Sequence, residues 1–497
     1  MSRPLHVAHP EDLDAAAVLR VADGDPLVLE PALLEAVARS RAETLTALAS
    51  GARVYGVTTG MGSQATLAVG TADQPGFQGD LMLARSVGSA PWLDHRTVRA
   101  VLAVRLRTLL SPEAGASPEL VAALAALLDT GLHPGIPATG NGAAGEIIPL
   151  AHLGAFLTGQ DTGPTGDSVA DAAYTFAAKE GVAFLQGVPV ATARAVLVAA
   201  DVRLLVAQQV VVTAAEVALT RAPRDPYHPA LARGDVELGT VLAGLRSLAG
   251  DEPDPRVLQA PVSFRVVGPA LAHLLRAASR LDEAVERALT GVTTSPALVD
   301  GTFLGTAGFD GFDLAASLDA VRLALLHAAE TGAARLHRML DPRVTGLPPQ
   351  LSPEPGRQTG LVAVHKRAVG LLHEARRGSA PASLGAVETS QGQEDVQSFG
   401  LESARAAADA VDVLRDVTAS ELLAVHQATL LDDTAPRGTE RLRMVLHKAS
   451  EHLGTTTRDR VLGREVTAIA HVLGIGWAHD ALDSIRDAPS HPPPLPT

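Results

Sequence analysis

The chain has 497 residues, 46% of them hydrophobic and 19% charged, which is an ordinary globular composition that excludes wholesale disorder and can fill a large core. Its 41 basic and 55 acidic residues leave a formal charge of -14, which argues against general binding to nucleic acid or to an anionic membrane. The absence of cysteine excludes disulfides, thiolate metal sites and cysteine nucleophiles.

Aromatic residues make up only 3%, so the core must be built from Ala, Leu and Val. Only Lys179, Lys366 and Lys448 are lysines; the other basic residues are arginine, which with so much alanine reads as a coding bias. At about 100–200 residues per domain, the length allows two to four domains or one large helical unit. Met1–Pro10 has no apolar core, so it is not read as a signal peptide. No uncharged apolar run of about 18 residues appears, so no membrane span is expected and the expected compartment is the cytoplasm.

In chain order, Pro31–Ser50 has apolar residues at helical spacing, at Leu33, Leu34, Val37, Leu45 and Leu48. Val54–Gly62, Gln74–Gly79 and Leu132–Gly145 are broken by Gly and Pro and read as loops. His95–Leu110 and Pro118–Thr130 read as helices between them. From about Lys179 the texture changes to long Ala/Leu/Val stretches: Val188–Thr220, Gly268–Leu289, Gly311–Leu340, Gly360–Arg377 and Gly400–Leu431. Arg437–Leu473 adds one or two helices, and Ser490–Thr497 is a Pro-rich tail expected to be disordered. Almost nothing alternates with period two. The fold class expected is all-α, a large helical bundle with a loop-rich N-terminal lobe.

The most informative stretch is Pro137–Leu153, where a loop of small residues runs straight into an apolar helix. Gly and Ala at such an entry let backbone N–H groups face a ligand. This stretch resembles the signature of the histidine and aromatic amino acid ammonia-lyase family, through Gly142, Ala143, Gly145, Pro149, Leu150, Ala151 and His152. Four further segments resemble family motifs in the right order. They are Tyr55–Gly62, Lys179-Glu180-Gly181, Gln259–Arg265 and Ser390–Asp395. The resemblance runs over most of the chain. It implies an ammonia-lyase-like all-α fold, a homotetramer with active sites shared between subunits, and a small-molecule substrate. It also suggests a lobe over residues 1–180, a helical bundle over 181–489 and a tail over 490–497.

The departures from the family matter as much. The family builds a methylidene-imidazolone electrophile from Ala-Ser-Gly in its own chain, losing water across the serine side chain. Here the triad is Ala143-Ala144-Gly145, and Ala144 has no hydroxyl to eliminate. The expectation is therefore no such cofactor. Other motif positions differ too: Val262 replaces a tyrosine, Gln186 an asparagine, Gly392 an asparagine, Val396 a histidine, Leu304 a histidine and Glu146 an aspartate.

The resemblance gives roles to what remains. Tyr55 matches the catalytic base loop, where Gly62 also lies; a free phenol titrates near 10, so it needs help to act as a base near neutral pH. Arg265 matches the arginine that pairs with the substrate carboxylate, a contact that suits a planar guanidinium. Glu394 matches the glutamate near the substrate amino group, with Gln393 supporting its loop. Arg85 falls near a substrate-side histidine of histidine-specific members. Asn141 and Glu146 flank the altered triad, and Glu146 is a second candidate proton partner. Gln186, Val262 and Phe303 complete the expected pocket. No H-E-x-x-H motif or tight histidine cluster suggests a metal, and Gly56–Gly62 lacks the G-K-[ST] of a phosphate loop. Three readings stay open: an electrophile-free enzyme of secondary metabolism using Tyr55 on a carboxylate or carbonyl compound, as a cyclase, dehydratase or isomerase; a non-catalytic binding or scaffold relative; and an ammonia-lyase with Ala144 introduced by design.

Overall fold

The computed structural model describes residues 3–169, 173–432, 434 and 437–478. The tail expected over 490–497 lies outside the described residues. The elements in order are β1 (Leu5–Val7), α1 (Ala15–Ala22), β2 (Leu27–Leu29), α2 (Pro31–Ala49), α3 (Gln74–Leu83), α4 (His95–Leu109), α5 (Pro118–Thr130), α6 (Ile147–Leu157), α7 (Glu180–Phe184) and α8 (Pro189–Leu219). Then come α9 (Val236–Ala249), α10 (Val262–Arg265), α11 (Val267–Thr290), β3 (Ala297–Val299), β4 (Thr302–Leu304), α12 (Phe312–Met339), α13 (Pro342–Thr345), α14 (Val362–Arg377), α15 (Gly400–Leu431), α16 (Glu440–Ser450) and α17 (Leu462–Gly474). The all-α expectation holds. The described strands are four three-residue pieces, paired as parallel β1-β2 and antiparallel β3-β4.

The chain forms two compact units that no single cut in the sequence separates. Unit 1 comprises residues 1–197, 281–319 and 381–405; unit 2 comprises the rest.

In unit 1, caps fix where helices begin. The Asp14, Asp94 and Ser117 side chains accept from the N–H of Ala17, Thr97 and Leu120, at the starts of α1, α4 and α5. Helix α5 also has Pro118 in its first turn and Gly131 in the left-handed conformation just past its end, so both boundaries match the sequence reading. Helix α4 is buried almost all round, arginines included. Backbone carbonyls make this tolerable: Arg99 donates to Val21 O and Leu128 O, both at 2.7 Å, and Arg105 donates to Gln186 O at 2.6 Å and Ala183 O at 2.5 Å.

One expected loop is a helix. Gln74–Gly79 opens α3 despite Gly76 and Gly79. Pro75 suits a first turn, and tertiary contacts outweigh the weak propensity. The buried Gln78 side chain donates to Gly56 O at 2.9 Å and accepts from Val182 N at 3.0 Å. Gly181 permits that approach, since a Cβ there would lie 2.4 Å from Gln78 O.

In unit 2, segments of α8, α12 and α15 are cross-linked by a fully buried polar cluster. Arg335 Nε donates to Glu216 at 2.9 Å, and its Nη2 lies 2.7 Å from both Gln209 Oε1 and Glu421 Oε1. Gln209 in turn donates to Thr418 at 2.6 Å and Glu421 at 2.8 Å. Burial and the neighbouring Glu421 push the Glu216 carboxyl well above its ordinary range, and the Arg335 guanidinium opposes that rise. Residues Glu180–Leu219 are apolar and long enough to cross a membrane by composition alone, but 78% of their most apolar window is buried inside the protein, as expected of a core helix.

Candidate active site

Unit 1 holds a cavity of about 700 Å³ lined by residues of five separate segments, among them Tyr55, Ala144, Gln186, Phe303 and Glu394. The fold brings together what the motifs had kept apart in sequence.

Tyr55 sits on a tight turn. Its phenol oxygen accepts the Gly62 N–H at 2.7 Å, so Gly62 contributes through its backbone. With the oxygen accepting from backbone, the phenol's own proton is left free for a ligand. The turn depends on Gly56, whose φ of +68° is left-handed and whose missing Cβ would lie 2.8 Å from Val182 Cγ2.

Glu394 comes from a strained loop. Ser390, Gln391 and Gly392 all have positive φ, of 55°, 57° and 82°, and two of them are not glycine. The Thr389 N–H donates to Glu394 O at 2.8 Å and closes the loop. The carboxylate then accepts the Ala144 N–H at 2.9 Å, and Ser390 Oγ donates to its other oxygen at 3.4 Å. Gln393 lines the cavity beside it. Thus Glu394 faces the altered triad directly, through backbone.

Behind the triad, Asn141 and Glu146 are buried and do not line the cavity. Asn141 Nδ2 donates to Gly145 O at 2.7 Å, and its Oδ1 accepts from Ile148 N at 3.3 Å, so it ties the triad to the start of α6. Glu146, expected as a proton partner, is drawn away by the free N–H groups at the start of α8. Its carboxyl accepts from Val190 N at 2.5 Å and Ala191 N at 2.7 Å. Burial pushes its pKa up to about 8, although those two N–H groups pull the other way. Arg105, lowered by burial to about 9, feels the Glu146 charge and holds the Gln186 carbonyl, so the Gln186 wall is set from behind.

Phe303, on β4, forms another wall. Beneath it lies Lys179, a residue the sequence marked only as part of a motif. Its Nζ is 6.0 Å from the Phe303 ring centroid and donates to Ala114 O at 2.5 Å. Burial, helped by Arg41, lowers the Lys179 amine to about 7. A left-handed φ of 72° immediately before α7 is the only local oddity, and nothing in the residue order announces it.

Arg85 stands just past the end of α3, half-buried, with Nη1 donating to Leu81 O at 3.3 Å. It does not line the cavity, but burial lowers its pKa while the charges of Tyr55 and Glu394 raise it, so it supplies positive potential near both. Arg265 and Val262 belong to unit 2. Arg265 Nε donates to Ala260 O at 3.0 Å, and Arg265 lines a separate cavity of about 330 Å³. Val262 is exposed. Among the described residues no group of three or more metal-binding side chains occurs.

Comparison with known proteins agrees with this architecture. The family model described as aromatic amino acid lyase matches residues 13–451. Histidine ammonia-lyase of Geobacillus thermodenitrificans (strain NG80-2) is 30% identical over 470 residues, covering 90% of this chain and 92% of the relative. Histidine ammonia-lyase of Rhodospirillum rubrum is 31% identical over 505 residues, covering 96% and 97%. Two solved structures share the fold. Tyrosine aminomutase from Streptomyces globisporus aligns with a TM-score of 0.90 at 23% identity, covering 98% of this chain and 100% of that one. The ergothioneine-degrading ergothionase of Treponema denticola aligns at 0.87 and 21%, covering 95% and 98%. With motifs, fold and full-length similarity in agreement, the chain belongs to the aromatic amino acid lyase family.

Proposed function

We propose that this protein is an ammonia-lyase-like enzyme that works without the family's electrophile, using Tyr55 for acid–base chemistry on a small carboxylate or carbonyl compound. The observation that carries the reading is the pairing of two side chains with two backbone donors in one cavity: Tyr55 Oη with Gly62 N–H at 2.7 Å, and Glu394 with Ala144 N–H at 2.9 Å.

The residues at 143–145 do not fit a methylidene-imidazolone. Ala144 offers a methyl group where the exocyclic methylene would need a hydroxyl to expel. What remains suits addition–elimination on an already activated carbon, such as cyclisation, dehydration or isomerisation. Tyr55 removes a proton from the carbon next to a carboxylate or carbonyl, and the Gly62 N–H steadies the phenolate before transfer. Glu394 takes or returns a proton at the departing or attacking group. The Arg85 charge close by favours the anionic state that develops between them. In the homotetramer we propose, Arg265 from a neighbouring copy holds the substrate carboxylate, as the family resemblance implies. The Gln186 wall, altered from the family motif, points to a substrate other than the family's usual amino acids, which we place in secondary metabolism.

The test compares wild-type protein with Tyr55→Phe. Each is incubated with histidine, phenylalanine, tyrosine, ergothioneine and a metabolite extract of the source cells, and products are read by mass spectrometry. A compound consumed by wild type and not by the variant supports the reading. Equal turnover by both removes Tyr55 chemistry. No consumption by either favours a binding relative. Activity on histidine or an aromatic amino acid that appears only in Ala144→Ser marks an ammonia-lyase disabled at one position.

A further inference from the structure

Unit 2 also holds a cavity of about 480 Å³, which the chemistry above does not use. That is within the range of about 300–1,000 Å³ that small-molecule sites occupy. The last turns of α8 and α15 and one face of α16 wall it. Small side chains make the room: Ala215 and Ala218 on α8 and Ala449 on α16 line it. Around them Leu219, Leu422, Val425, Leu442 and Leu453 are buried, so the inner wall is apolar.

The walls are pinned. Gly438, at a left-handed φ of +72°, lets α16 begin close against α8; a Cβ there would lie 2.6 Å from Leu442 Cδ2 and 3.5 Å from Ala218 Cβ. Thr439 N and Oγ1 both donate to Leu248 O, at 3.1 and 2.9 Å. Trp477 Nε1 donates to Val445 O at 3.2 Å, in the middle of α16. Beyond α16, Gly454 O lies 2.9 Å from His426 Nε2 on α15.

The rim is basic. Arg443 and His447 stand one turn apart on α16, both exposed and both lining the cavity. Arg443 makes one hydrogen bond, to Gly438 O at 2.7 Å, and no ion pair among the described residues. The carboxylate that lines the cavity, Asp432, is already paired with Arg437 at 3.5 Å. An uncompensated guanidinium therefore stands at the edge of an apolar space, in a chain whose net charge is -14. A planar guanidinium offers two parallel N–H donors to a carboxylate.

We propose that this cavity binds a free monocarboxylate with a medium-length apolar chain. The tail lies along Leu422, Val425 and Leu442, and the carboxylate meets Arg443. The site does not depend on the Tyr55 chemistry, so its success or failure leaves that reading where it stands.

The experiment is isothermal titration calorimetry of the full-length chain with octanoate, decanoate, 1-decanol and decyltrimethylammonium. Decanoate should bind saturably, one per chain. Each methylene taken from water is worth about fourfold in affinity, so octanoate should bind about 16-fold more weakly. Arg443→Gln, an exposed change, should weaken decanoate by about two- to fivefold and leave decanol unchanged. Leu446→Trp and Thr429→Trp, at two lining positions, should fill the space and remove both. No saturable decanoate binding up to about 1 mM, a Kd beyond which the site would be negligible, overturns the proposal. So does equal decanoate binding by wild type and both tryptophan variants, which places the ligand elsewhere. Decyltrimethylammonium binding as tightly as decanoate, or Arg443→Gln binding decanoate as wild type does, overturns the anionic class of ligand. Equal affinity for octanoate and decanoate overturns the placement of the tail.

Discussion

Replacing Glu146 with Gln changes how stability depends on pH, because the carboxyl it removes is buried and raised. The carboxyl is raised from 4.5 to about 8, chiefly by burial, with the Glu402 charge adding to the rise and the Val190 and Ala191 N–H groups opposing it. At about 1.36 kcal/mol per pH unit, that rise links about 5 kcal/mol of folding stability to one proton. The folded chain binds this proton more tightly than the unfolded chain does. The contribution is therefore complete below about pH 4.5, is lost progressively as pH climbs to about 8, and is flat above that. Glutamine mimics the protonated acid and cannot ionise. It keeps one acceptor for the two α8 N–H groups and leaves the other unmet, a cost of about 1–3 kcal/mol at every pH.

Wild type should thus be the more stable protein at pH 5, and Glu146→Gln should equal or exceed it at pH 9. The assay is urea unfolding followed by helical circular dichroism at pH 5, 7 and 9, at one protein concentration so that any assembly contributes equally. Other carboxyls titrate in both proteins and cancel in the difference. Curves that run parallel from pH 5 to pH 9 would refute the reasoning. They would mean that the start of α8 and the Arg105 charge hold Glu146 ionised throughout, and that burial is the weaker effect.

Other perturbations follow from the same physics. Arg335→Met leaves Glu216 and Glu421 buried without a cation, and should cost about 3–5 kcal/mol in urea unfolding. Glu216→Gln, at a carboxyl already pushed far up, should cost less than about 1.5 kcal/mol in the same assay. Gly56→Ala forces a left-handed alanine against Val182; it should destabilise the protein by about 1–3 kcal/mol and shift the Tyr55 turn, read by thermal unfolding. For any substrate consumed, Tyr55→Phe should slow turnover by about 10²–10⁴-fold, the usual worth of a positioned acid–base group, in a steady-state kinetic assay.

Much of the fold is written locally. Helix α5 is legible because Ser117, Pro118 and Gly131 mark its ends chemically. The long α15 is legible because Ala and Leu run on with no breaker between Gly400 and Leu431. Helix α3 is not, because its stability comes from Gln78 bridging Gly56 and Val182, residues 22 and 104 positions away. Glu146 misled for a related reason. Its neighbours in sequence place it beside the triad, but the unpaired N–H groups that capture it belong to residues 44 and 45 positions on.

The site divides in the same way. Tyr55 and Glu394 were visible because their side chains recur in recognisable motifs. Their partners, the N–H groups of Gly62 and Ala144, are backbone atoms that every residue except proline carries. Residue identity therefore cannot announce them; what sequence does mark is the backbone that presents their partners, at Gly56 in the Tyr55 turn and at the strained Ser390–Gly392 loop before Glu394. Losing the serine at 144 does not empty such a site. It leaves an amide N–H where relatives would have a ring nitrogen, and an amide N–H facing a carboxylate is itself a polar feature on which acid–base chemistry can be built.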